Sequence, residues 1–171
     1  MNLDVLLSTL LIFSAACYLS LGVRLVSSKR TPGGVPVGVL FMLVSIWVMG
    51  GAIELLSSSF AVFSIGRTAH FVGTAMVPVA AYVCFREYTG YDTPSRTLLL
   101  LTLIPLASVT LAASNVYHEF MWLLPIANEA GEFLTRPERW GPWFLYVHLP
   151  YSYALIAAAI LTLVMHRTRV A

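Results

Sequence analysis

Glu54, Arg67, His70, His118 and His148 are ionisable side chains set within or beside long apolar stretches. An ionisable group in hydrocarbon costs about 2.5–3.5 kcal/mol or more unless it is paired, so each of these positions hints at a function. Arg67 and His70 are three residues apart and share one helical face. Three chemistries suit the set. Glu54 and Arg67 could form an internal ion pair that pins two helices together, with hydrogen-bonded histidines around it. Together with Trp47, Trp122 and Tyr151, the same groups could line a polar pocket for a small extracellular ligand. His70 and His148 have the depth for haem ligation, which needs two imidazoles facing each other on neighbouring helices.

The elements that must position these groups follow from composition. Of 171 residues, 58% are hydrophobic and 11% charged, against roughly 25% charged in an ordinary soluble domain. So few charges cannot cover a soluble surface, and the missing polar surface must face lipid. The expected fold is all-α, a polytopic transmembrane bundle of about five helices in one domain spanning the whole chain. The predicted helices cover residues 3–26, 35–56, 62–85, 98–113 and 142–165. Pro78, Pro105 and Pro150 lie inside the third, fourth and fifth, where kinks are expected and neighbouring helices can satisfy the freed carbonyls. Arg24, Lys29 and Arg30, then Arg86 and Arg96, then Arg167 and Arg169 mark three segments as cytoplasmic. They agree on an N-terminus outside and a C-terminus inside, in a multi-pass protein of the cell (inner) membrane. The first span opens Met-Asn-Leu-Asp rather than with basic residues, so it reads as a retained helix and not a signal peptide.

This topology puts Glu54, Arg67, His70, His118 and His148 in the outer half, drawn from at least four elements. On the second helix Trp47, Gly50, Gly51 and Glu54 share a face, where the glycines permit close approach of another helix or form a pocket wall. The external connection 115–141 is net acidic through Glu119, Glu129, Glu132 and Glu138 against Arg136 and Arg139. Its run Tyr117, Phe120, Met121, Trp122, Leu123 and Leu124 is too apolar for a solvated loop. With Trp140, Trp143 and Tyr146 it reads as an interfacial aromatic belt and amphipathic segment, or as a lid over a pocket. Cys17 and Cys84 lie far apart without metal-ligand spacing and read as small buried hydrophobes. No phosphate loop, nucleophile elbow or HExxH is present, so no enzyme is expected. A formal charge of +2 gives no case for nucleic acid.

Several short motifs occur in a recognisable order. They begin with Arg30-Thr31-Pro32-Gly33, Trp47, Ala52-Ile53-Glu54-Leu55, Gly73 and Val77-Pro78-Val79. Phe85-Arg86-Glu87-Tyr88-Thr89-Gly90, Asn115-Val116-Tyr117-His118-Glu119-Phe120-Met121-Trp122 and Tyr151-Ser152-Tyr153 follow. In these the sequence resembles the N-terminal seven-helix membrane module of bacterial and archaeal sensor histidine kinases. The resemblance covers nearly the whole chain, and Glu54 and His118 match its motif positions. It implies a non-catalytic sensory input module, in which an outer-side ligand or membrane state biases helix positions and the last helix passes the shift to a cytoplasmic output domain. The family has seven helices followed by an effector, whereas about five are expected here, with no phospho-accepting or ATP-binding domain. The chain is then either a piece of a longer sensor or a free-standing protein that acts through another membrane protein. An accessory or structural subunit of a larger membrane complex and a small haem protein are the alternative readings.

Overall fold

The computed structural model describes residues 3–28, 33–123, 130–131 and 139–170, without the side chains of 167–170. The inner-loop residues Lys29 and Arg30, the motif residues Thr31 and Pro32, Leu124, Glu129, Glu132, Arg136 and Glu138, and the Arg167 and Arg169 side chains lie outside that description.

Among the described residues five α-helices follow one another: α1 (Leu3–Ser27), α2 (Gly34–Leu56), α3 (Phe60–Tyr88), α4 (Ser95–Ala113) and α5 (Leu149–Val170). All five are long and apolar enough to cross a membrane, the last span being counted from Phe144 to His166. The protein is therefore a multi-pass membrane protein. The described residues contain no strand, only an isolated bridge between Trp122 and Trp140.

The turns are built from local chemistry. Ser57 donates its backbone N–H and its hydroxyl to the Glu54 carbonyl, at 3.3 and 2.7 Å, closing α2. Ser59 caps α3 by accepting the Val62 N–H at 3.4 Å, which satisfies one orphan donor of the first turn. Gly90, at φ 78°, turns the chain out of α3. Arg86 donates to the Asp92 carbonyl at 2.8 Å across that turn.

Small residues decide which helices meet. Ser45 on α2 donates to the Ala15 carbonyl of α1 at 2.7 Å. Nearby, a Cβ on Gly38 would lie 2.7 Å from the Gly22 oxygen. Between α2 and α3 the backbones are equally close: a Cβ on Gly50 would stand 2.3 Å from the His70 nitrogen, and one on Gly73 2.3 Å from the Trp47 Cβ. Such contacts replace the hydrophobic driving force that helices lack in lipid. α3 is the hub, packed on α2 and also on α4 and α5, whereas α1 packs chiefly on α2. Most of α1 is therefore left to face lipid. This corrects one expectation: Cys84 is buried, but Cys17 is exposed.

Prolines shape the other side. Pro105 has no N–H for the Leu101 carbonyl four residues earlier, and the Tyr151 hydroxyl of α5 donates to that carbonyl instead. The fifth span does not open as a plain α-helix. Phe144–His148 forms a π-turn, with the Leu149 N–H bonded to the Phe144 carbonyl, just before Pro150. The widened turn stacks the Phe144 and His148 rings at 5.4 Å.

Candidate functional site

Glu54 lies near the end of α2, and the tight serine turn brings the start of α3 back beside it. Arg67 Nη2 meets Glu54 Oε2 at 3.1 Å, with both side chains buried. One helical turn deeper, the Trp47 indole donates to His70 Nε2 at 2.9 Å. An indole N–H can only donate, so Nε2 accepts and the ring carries its proton on Nδ1. That Nδ1 faces Glu54 Oε1 at 3.3 Å, but without the alignment of a hydrogen bond, and both atoms are buried. The ion pair anticipated between Glu54 and Arg67 is present, and His70 and Trp47 extend it into a four-residue cluster.

Arg67 also reaches the external segment. Its guanidinium lies 4.9 Å from the Phe63 ring centre and 5.5 Å from that of Trp122, each a cation–π contact. Trp122 in turn stacks on Phe71 at 5.4 Å. Trp122 is held there by Asn115, which is 2% exposed. The Asn115 side chain accepts the N–H groups of Met121 and Trp122 at 2.8 and 3.3 Å and donates to the Trp122 carbonyl at 2.8 Å.

Beside the cluster is a cavity of about 440 Å³, lined by Leu11 of α1, Gly51 and Leu55 of α2, Phe71 and Thr74 of α3, and Trp140 and Phe144 ahead of α5, as well as by Trp47, Glu54, Arg67 and His70. Its wall is apolar except at that cluster and at Thr74, whose hydroxyl donates to the His70 carbonyl at 2.9 Å, as in sites where a few polar groups orient a small molecule.

The other anticipated residues lie elsewhere. His118 serves its own turn: Nδ1 accepts the Phe120 N–H at 3.1 Å, and Nε2 meets the Ser114 hydroxyl at 3.0 Å. Tyr151 ties α5 to α4 and does not line the cavity. His148 meets the Ser108 hydroxyl at 3.1 Å, and Ser108 accepts the Trp143 indole N–H at 3.0 Å. The Phe71 ring touches both His70 and His148, at 6.2 and 6.0 Å. The Trp47 indole occupies His70 Nε2, and the His148 ring is bonded to Ser108 through Nδ1. Sequence reasoning missed Ser108 and gave Asn115 no role. A serine in an apolar span resembles any small packing residue, but an asparagine at the mouth of a span, just before an aromatic run, was a usable signal.

The sequence model of the family described as the N-terminal 7TM region of histidine kinase matches residues 6–171. The chain belongs to that family. No curated protein and no solved structure matches it. The histidine-kinase 7TM region is a sensor input region rather than a catalytic domain. These 171 residues include no kinase domain.

Proposed function

We propose that the chain is a non-catalytic sensory input module whose stimulus is the occupancy of the cavity beside Glu54, Arg67, His70 and Trp47. One observation carries this reading: the cavity is lined from α1, α2, α3 and the segment leading into α5. An occupant touching all four elements favours one helix arrangement by its differential affinity for the two states. Arg67 links the cavity to the external segment through Trp122, and α3 and α5 carry the shift to the opposite face. With the N-terminus outside, as the basic residues suggest, the cavity lies in the outer half and α5 ends in the cytoplasm, where an output protein or domain reads its position.

Purification from native membranes in mild detergent, with mass spectrometry of everything that travels with the chain, tests the proposal. The expected result is a bound small molecule that is lost in Gly51→Leu, in which a side chain fills the cavity. A fixed-stoichiometry complex, unchanged by Gly51→Leu and carrying no small molecule, would overturn it in favour of an accessory subunit.

A further inference from the structure

Resting on that reading of the cavity, we infer that its occupant is a neutral, lipid-soluble molecule bearing a hydroxyl group. It enters sideways from the bilayer, displaces the side chains that cover Glu54 Oε1 and His70 Nδ1, and bridges those two atoms through its hydroxyl.

Depth sets the route. On α2 the cluster runs from Glu54, two residues before the end of the helix, to Trp47, nine before it, which at ~1.5 Å per residue is ~3–14 Å below the outer end. That range falls within the outer half of a ~30 Å hydrocarbon core. Trp47 is 37% exposed and the His70 side chain 35%, so the cluster's open side faces lipid tails. A water-soluble ligand does not partition there.

Charge and hydrogen bonding set the head group. Glu54 and Arg67 neutralise each other, and His70 is neutral as the acceptor of the Trp47 proton. An ammonium or carboxylate head would add an unpaired charge in hydrocarbon. One carboxylate oxygen, Glu54 Oε1, and one imidazole N–H, at His70 Nδ1, stand 3.3 Å apart without a hydrogen-bond partner. A hydroxyl satisfies both at once, donating to the first and accepting from the second. A carbonyl would satisfy only the imidazole, and a hydrocarbon neither.

Gly51 supplies an independent observation. Gly50, Gly66 and Gly73 are each needed for helix contact, since a Cβ on any of them would come within 3.0 Å of a neighbouring helix. A Cβ on Gly51 would meet only His70 Nδ1, at an ordinary 3.6 Å. No packing contact demands a glycine there. Its absent side chain instead leaves room beside His70 Nδ1, one of the two unsatisfied atoms. The body of the ligand then lies against Leu11, Leu55, Phe71 and Phe144 within the cavity of about 440 Å³.

The test uses the full chain in phosphatidylcholine nanodiscs. Three probes of one chain length each carry a photoreactive diazirine: dodecanol, dodecane and dodecanoate. Cross-linked peptides are then mapped. Dodecanol is expected to label the cavity-lining peptides and to be displaced by plain dodecanol. Gly51→Leu should lower labelling by at least about tenfold, and His70→Phe, which keeps the Glu54–Arg67 pair and an aromatic ring, by about five- to tenfold. Equal labelling by dodecane, or stronger labelling by dodecanoate, overturns the hydroxyl assignment while leaving the cavity as the sensing site. Labelling by none of the three, with Gly51→Leu purifying with the same companions as the unmodified chain, overturns both.

Discussion

The Phe71 ring touches two imidazoles whose surroundings share an aromatic wall, an indole N–H and a second polar group. Around His148 the polar groups close on one another: Trp143 donates to Ser108, Ser108 meets His148, and both His148 and Ser108 are at most 2% exposed. Around His70 they do not. Trp47 holds one nitrogen, the other faces Glu54 without forming a hydrogen bond, and a cavity adjoins the pair. Similar residue types thus make a lock on one side and a socket on the other. The difference lies in which buried atoms remain to be satisfied, because an unpaired polar atom in a low-dielectric interior attracts a partner and a paired one does not.

The comparison can be broken from either side. Glu54→Leu should have the largest effect, destabilising the chain by about 3–5 kcal/mol because it takes the Glu54 carboxylate away from the buried Arg67 charge. The Glu54→Leu/Arg67→Leu double variant should recover most of that loss, measured as the unfolding midpoint in mixed micelles. Next comes Ser108→Ala, which removes the partner of both Trp143 and His148. A loss of about 1–3 kcal/mol is expected in the same assay, with no effect on cavity labelling. If Ser108→Ala abolished labelling instead, the lock and the socket would be one site. Tyr151→Phe should cost about 1 kcal/mol, since it bares the carbonyl that Pro105 leaves open. The smallest effect has the opposite sign. Gly51→Ala should stabilise α2 by about 0.5–1 kcal/mol, as for any helical glycine with room for a methyl group. Gly50→Ala should destabilise it, because its Cβ would collide with the α3 backbone. Equal behaviour of the two variants would remove the distinction on which the socket rests.

Several of these features were legible in the sequence. The Glu54–Arg67 pair could be read because Ser57-Ser58-Ser59 folds α3 straight back on α2, so groups close to the turn meet whatever the rest of the bundle does. That a neighbour must satisfy the carbonyl freed by Pro105 follows from a general rule for membrane helices, but Tyr151, expected in the pocket, was not legible as that neighbour. His118 was legible only as lying near the outer end of α4. Its partners, Ser114 and Phe120, are local, and nothing in the spacing separates a turn-locking histidine from a pocket histidine. The separate surroundings of His70 and His148 were not legible at all, since they depend on α5 packing against α3.

By itself the sequence determined the five spans, the proline positions and the ion pair beside the serine turn, because hydrophobic length and short connections act locally. It also carried the motifs that identify the family. Only the tertiary structure decided which side of each helix meets protein and which meets space. Gly50 and Gly51 are neighbours about 100° apart around α2, and one is pressed against α3 while the other opens onto the cavity. Periodicity places residues on faces, but what covers a face depends on the packing of helices distant in sequence.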